Sequence, residues 1–285
     1  MIKSMTGYGK TEFTINTKKI TIEIKSLNSK NLDLNVRINN PFKEKELVIR
    51  KKLATKLQRG KVDFNLYVDT TGVVNTSKIN KFIVEDYINQ IEEITDISKG
   101  NALEIAMKLP NIMDSSKEEL DEEEWEEIAS KIEGTIEKIN NFRKDEGAIL
   151  KADFEERITT LQDLCKKNIP FEEARIPAVR ERIEKSITDL KLDVDKNRFE
   201  QELVFYLEKL DITEERIRLD NHLVYFLKEL NSKESNGKKL GFICQEIGRE
   251  INTTGSKANY APMQQNVVLM KDELEKIKEQ LLNVL

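Results

Sequence analysis

The stretch Leu32-Asp33-Leu34-Asn35-Val36-Arg37-Ile38-Asn39 changes from apolar to polar at every step. Period two puts Leu32, Leu34, Val36 and Ile38 on one side of an extended chain and the polar residues on the other, the pattern of a strand with one buried face. Upstream, Ile20, Ile22 and Ile24 repeat the spacing within Ile20 to Ser26, and Met5 to Ile15 carries shorter alternations. Downstream, Pro41 ends the run. Lys43 to Gln58 then takes helical spacing, with Ile49, Leu53 and Leu57 one turn apart and Arg59-Gly60 as a basic last turn and capping glycine. Val62, Phe64, Leu66 and Val68 alternate again. Together these segments predict a small antiparallel or mixed sheet with one helix on it.

Past Asp69-Thr70-Thr71-Gly72 the period becomes helical. Ser77 to Thr95 and Ala102 to Lys108 read as helices, the second ending near Pro110. Ser115, with Glu118 at capping-box spacing, opens a longer helix that runs past Gly147 towards Lys167. Eight of the ten residues from Glu118 to Glu127 are acidic, which suits the positive end of a helix dipole better than a metal site. Pro170 and Pro177 mark a turn, Ala178 to Leu190 the next helix, and Asp193-Val194-Asp195 a linker. The rest, to Leu285, reads as helix with breaks near Asn236-Gly237 and from Gly255 to Pro262. The expected fold class is α+β: a small N-terminal sheet-plus-helix domain, a long mostly α-helical region and a C-terminal helical bundle. Boundaries are expected at 1–155, 156–198 and 199–285.

Of 285 residues, 38% are hydrophobic and 35% charged, the balance of a globular chain with much charged surface. Aromatic residues at 6% and 11 glycines argue against an all-β sandwich or barrel. No run approaches the roughly 18 apolar residues of a membrane span. The opening Met1-Ile2-Lys3-Ser4 has no secretory apolar core, so a cytoplasmic location is expected. His222 is the one histidine, and Cys165 and Cys244 are the two cysteines. Multi-histidine sites, zinc knuckles and disulfide frameworks are thereby excluded within one chain. A metal would be held mainly by carboxylates, which suits Mg²⁺ or Mn²⁺. There is no Walker A loop, Rossmann fingerprint or nucleophile elbow. The net charge of −5 hides an asymmetry: residues 1–70 hold 15 Lys+Arg against 7 Asp+Glu, the remainder 32 against 45. A basic first quarter suits a polyanion-binding module. On charge alone, a solvated lysine-rich surface accounts for it equally well.

Two helices carry candidate chemistry. In the first, from about Arg198 to Asn231, Asp211, Glu215, Arg218 and His222 form one narrow stripe. Leu219, Leu223 and Phe226 flank it on one side, and Leu210, Ile217 and Val224 on the other. A polar stripe between two apolar ones points into a cavity, a cleft or a subunit interface. A charged surface helix with Glu214–Arg218 and Glu215–Arg218 ion pairs is the plainer alternative. In the second, from about Leu240 to Thr254, Leu240, Ile243, Ile247, Ile251 and Thr254 make the core side. Glu246 and Glu250 lie one turn apart on the other side, where both can reach one cation, and Arg249 beside them can hold a phosphate. A surface acidic pair is again the plainer alternative.

These helices also carry motifs. Glu214-Glu215-Arg216-Ile217-Arg218-Leu219-Asp220-Asn221-His222 resembles EE-x-x-RL-x-x-H, and Gly237-Lys238-Lys239-Leu240-Gly241-Phe242 resembles G-[RK]-[KR]-L-x-F. Gln245-Glu246-Ile247-Gly248-Arg249-Glu250-Ile251-Asn252-Thr253 resembles QE-x-x-RE-x-NT and is followed by Ser256-Lys257. Ser4-Met5-Thr6-Gly7-Tyr8-Gly9, Glu23 to Asn28, Arg59-Gly60-Lys61-Val62, and Arg143 with Glu146-Gly147 complete an ordered set that spans nearly the whole chain. In this the sequence is similar to the YicC/YloC family of bacterial endoribonucleases. One departure is Ser29-Lys30, where many members carry a basic pair such as His-Arg.

The resemblance implies a divalent-metal-dependent endoribonuclease that assembles as a hexamer and admits RNA to a central chamber. Carried over by motif, His222, Arg218, Glu215 and Arg249 are the catalytic candidates, and Glu246 and Glu250 the metal ligands. Lys25, Lys30, Arg37, Arg59, Lys61 and Lys257 are the candidate RNA contacts. An RNA-binding oligomeric adaptor that presents RNA to another nuclease is the competing expectation, and a structural oligomer with polar subunit contacts a third.

Overall fold

The computed structural model describes residues 2–39, 42–70, 77–115, 122–190 and 195–285. Its N-terminal part is built from strands β1 (Gly7–Ile15), β2 (Lys18–Leu27) and β3 (Leu32–Ile38), helix α1 (Glu46–Leu57) after a short 3₁₀ turn, and strand β4 (Gly60–Thr70). The sheet order is β1-β2-β4-β3. β1–β2 and β2–β4 are antiparallel, while β3–β4 is parallel, a pairing that needs the crossover α1 supplies. The sheet is therefore mixed. Gly9, Ile24, Phe64 and Val36 line up across the four strands, and Ile20, Ile22, Ile24, Val62, Phe64 and Leu66 are wholly buried. The period-two reading of this region holds. One detail differs: the residue that closes α1 in the left-handed region is Gln58 (φ 58°), and Gly60 (φ 116°) instead opens β4, where a Cβ would press on the Leu27 carbonyl.

A small lobe follows. Strand β5 (Ser77–Ile79) pairs with β6 (Met113–Ser115) around α2 (Lys81–Ile94) and α3 (Lys99–Ala106). The helix expected from Ser77 starts only at Lys81, because the Asn80 side chain caps it by accepting from Ile83 N. Ser115 lies in β6 rather than at a helix start, and Glu118 lies outside the described residues.

Helix α4 (Glu122–Asp189) is a single helix of 68 residues, about 100 Å long by its rise per residue. The turn expected at Pro170 and Pro177 does not form. Seven residues apart, both prolines sit on the exposed face, where water can serve the carbonyls of Lys166 and Glu173 that lose their helical donors. The remaining elements are α5 (Lys196–Lys209), α6 (Thr213–Leu230), α7 (Gly237–Lys257) and α8 (Ala261–Leu281). Asp195, expected in a linker, caps α5 by accepting from Asn197 N and Arg198 N. The helix expected from Arg198 to Asn231 is two helices, broken at residues 210–212. There Asp211 turns its carboxylate onto Thr213 N (3.1 Å) and Thr213 Oγ1 (2.7 Å), a local side-chain competitor for the helical ladder.

Two cores share α4. Trp125, Ile128, Ile132, Ile136 and Ile139 pack with the sheet and α1. Further along, Phe154, Ile158, Leu161 and Leu164 pack with α6, α7 and α8. Between them lies a junction around Arg143. This buried guanidinium donates to the carbonyls of Met5 (3.2 Å), Leu57 (3.2 Å) and Arg59 (3.3 Å) and to Ser26 Oγ. Burial lowers its pKa to about 10, so it stays cationic at neutral pH. Gly147, one turn on, lets the backbone of Ile2 and Lys3 lie against α4 where any Cβ would collide. Met5 N donates to Asn283 O (2.7 Å) and Leu285 N to Lys3 O (2.9 Å), so residues 3–5 and 283–285 pair at the same junction. No helix among the described residues is long and apolar enough to cross a membrane.

Candidate functional site

Helices α6 and α7 are antiparallel neighbours joined by residues 231–236. Asn236 starts α7 by accepting from Lys239 N (3.0 Å). Leu219, Leu223, Phe226 and Leu230 of α6 and Leu240, Ile243, Ile247 and Ile251 of α7 turn into the second core. The adjoining polar faces meet along a groove. At one end Lys239 Nζ contacts Glu229 (2.7 Å) and sits 5.4 Å from the Tyr225 ring centre. At the other end Lys257 Nζ contacts Glu215 Oε1 (2.7 Å) and the Asp211 carbonyl (2.9 Å).

Between these ends lies an open cleft of about 440 Å³ lined by Arg218, Asn221 and His222 of α6 and by Glu246, Arg249 and Glu250 of α7. Every lining residue is polar or charged. Glu250 is buried (4% exposed), yet it makes no hydrogen bond or ion pair with any described residue. Arg249 lies 4.0 Å from Glu246, and Arg218 pairs with Glu214, but both arginine side chains remain more than half exposed. The plainer alternative, a helix with a Glu214–Arg218 pair, therefore exists beside the cleft rather than in place of it.

Of the residues singled out in the sequence, the fold brings Arg218, His222, Glu246, Arg249 and Glu250 to one cleft. Asn221 joins them; its position next to His222 is the only sequence signal that pointed there. Glu215 and Lys257 do not line the cleft. They pair with each other and tie the start of α6 to the end of α7. The second carboxylate oxygen of Glu215 is buried without a partner. Arg175 adds to this end by donating to the carbonyls of Leu210 and Lys257, and Glu172 lies 3.4 Å from Arg216. Burial raises the Glu172 carboxyl above its ordinary range, whereas the hydroxyl and amide of Thr213 hold Asp211 below it. Burial also pushes both thiols, Cys165 and Cys244, up to about 12, so neither is a ready nucleophile.

Part of the basic quarter is answered inside the molecule. The acidic start of α4 meets it: Glu124 pairs with Lys18, Glu122 with Lys45 and Glu133 with Lys52. On the open sheet face Lys25 pairs with Glu23 (3.0 Å). Arg59 donates to the Ser29 carbonyl (3.0 Å). Lys30, Arg37 and Lys61 are exposed and carry no ion pair to a described residue. Among the described residues no three His, Cys, Asp or Glu side chains are clustered closely enough to hold a metal by themselves. The cleft offers two carboxylates and one imidazole, a sparse set that fits an ion keeping several waters and taking oxygen from a bound phosphate, as Mg²⁺ does.

Comparisons with known proteins bear on the whole chain. The family model described as "Endoribonuclease YicC-like, N-terminal region" matches residues 2–152, and "Endoribonuclease YicC-like, C-terminal" matches residues 170–285. A "Probable endoribonuclease YicC" of Clostridioides difficile is 30% identical over 292 residues, covering the whole of both chains. A protein of the same description from Haemophilus influenzae is 26% identical over 290 residues, again end to end.

Proposed function

The chain belongs to the YicC-like endoribonuclease family, and from that membership we propose that it cleaves RNA in the α6–α7 cleft with the help of a divalent cation. The observation that carries this reading is the cleft itself, whose lining brings Glu250, without a hydrogen bond or ion pair to a described residue, together with two guanidinium groups, an imidazole and a second carboxylate.

Glu246 and Glu250 would hold Mg²⁺ or Mn²⁺, which when bound supplies Lewis-acid polarisation of the phosphate. Arg218 and Arg249 clamp the non-bridging oxygens, where charge builds up as the phosphodiester is attacked. His222 moves the proton, to the leaving oxygen or from the attacking hydroxyl. Asn221 offers an amide to the strand beside them. Glu215, held by Lys257, is a positioning residue: it fixes the start of α6 and with it the register of Arg218 and His222. Lys30, Arg37 and Lys61 remain available as outlying RNA contacts. The same reading takes the protein as a cytoplasmic homo-oligomer, a hexamer by the family resemblance. The exposed Ile217 and Val224 on α6 support it, since this apolar flank of the polar stripe is uncovered within one chain.

The test is cleavage of a structured RNA hairpin by the full-length protein, with and without chelator, and by Glu250→Gln. Loss of cleavage in both arms, on the order of a hundredfold or more, is expected. Cleavage that survives chelator removes the metal, and full activity of Glu250→Gln removes the cleft. Binding of intact RNA without cleavage under any metal supports an adaptor instead.

A further inference from the structure

The G-[RK]-[KR]-L-x-F element is only partly explained by packing. Gly237 lies against the backbone of Val284, and Leu240 is buried in the second core. Phe242, however, is 57% exposed. It stands one turn before Glu246 on α7, and Glu246 lines the cleft. Across the groove, Tyr225 of α6 is 41% exposed and stands three residues after His222. Lys239, three residues before Phe242, reaches over the Tyr225 ring and so brings the two helices' aromatic positions to the same end of the groove. Lys228 and Lys238, each within one turn of an aromatic residue, are exposed and make no ion pair with a described residue. Next to the cleft residues His222 and Glu246, the two helices thus carry exposed aromatic side chains with lysines within a turn of each.

That combination matches one chemistry. An unstacked nucleobase offers a flat π-face to an exposed aromatic ring, while ammonium groups beside it hold the flanking phosphates. A paired helix buries its base faces and cannot use such a platform. We infer that Tyr225 and Phe242 form a stacking subsite for an unpaired base of the RNA strand whose phosphate lies in the cleft. This rests on the RNA-cleaving reading above and adds to it a requirement for unpaired nucleotides beside the scissile bond. The rings are positioning contacts and take no part in bond making.

The experiment measures binding of the full-length protein to a short, cleavage-resistant 2′-O-methyl oligoadenylate and to an abasic oligomer of the same length and charge. Tyr225→Leu and Phe242→Leu keep apolar bulk but lose the aromatic face. Each is expected to weaken oligoadenylate binding roughly tenfold and to leave abasic binding unchanged. Phe242→Trp is expected to restore binding, with indole emission quenched by oligoadenylate and not by the abasic oligomer. Equal loss on both oligomers, or no loss on either, overturns the subsite. A fall in molar mass by light scattering in the leucine variants also overturns it, and reassigns the rings to a contact between copies of the chain. Cleavage by the unaltered protein is run in parallel. Base-dependent binding without cleavage leaves the stacking subsite standing and removes the nuclease reading, whereas cleavage with base-blind binding does the reverse.

Discussion

Burial and hydrogen bonding pull two carboxyls at the foot of α6 in opposite directions, and the sign of each effect is testable. Asp211 is held below its ordinary range by Thr213, so it contributes stability that is present at neutral pH and lost as pH falls through its lowered pKa. Glu172 is raised, chiefly by desolvation that Arg216 and Arg175 only partly offset. A raised acid binds its proton more tightly in the folded state, so its ionisation costs stability above that raised pKa and costs nothing below the ordinary carboxylate range. Glu172→Gln should therefore raise the thermal midpoint at pH 7, and the gain should shrink on acidification and vanish below about pH 4. A Gln variant less stable than the parent at pH 7 would show that the arginines dominate. Arg143 is the counter-case: a buried cation with no carboxylate partner among the described residues, held by three carbonyls and a hydroxyl. Its place in a sequence motif with Glu146 and Gly147 gave no hint of that role, because the acceptors come from β2, α1, the turn before β4 and the segment before β1, and no spacing rule links them.

The antiparallel pair α6–α7 owes its register to contacts at its two ends, Glu229–Lys239 and Glu215–Lys257. The second is the more buried, and removing only Lys257 leaves a carboxylate that already has one unpartnered oxygen. Lys257→Met should cost about 2 kcal/mol in urea unfolding, and adding Glu215→Gln should recover much of it, a double-mutant cycle with clear coupling. Additive losses would mean that the two groups act independently. At this scale the sequence was legible where period alone decides. The strands and the core faces of α6 and α7 follow from two-residue and helical spacing. It was illegible where context decides: α4 runs through Pro170 and Pro177 because both face water, and α5 and α6 separate at Asp211 because one side chain captures Thr213. The cleft was legible in part. Helical spacing gave the two carboxylates and the Arg218–His222 stripe, but whether Glu215 belongs to the cleft depends on Lys257, forty-two residues away.

Over the whole molecule, α4 is common to two cores that otherwise share little packing, with Arg143 between them. Ile132→Ala, a truncation deep in the first core, should cost about 3 kcal/mol there. Native-state hydrogen exchange should show the loss in β1, β2, β4 and the first half of α4, with α7 and α8 amides unchanged. Equal loss in both parts would make the chain one cooperative unit. The charge asymmetry belongs to this scale as well. Three lysines of the first quarter meet glutamates of the first turns of α4, a contact that a count along the sequence cannot reveal. The pairing of residues 3–5 with 283–285 has a consequence for synthesis. The sheet can collapse on α4 while the ribosome is still making the later helices, but the seam that Met5 and Lys3 complete needs residues 283–285 and so waits until all of α8 has been synthesised. A nascent chain that already holds the sheet and α4 therefore carries that seam open until α8 arrives.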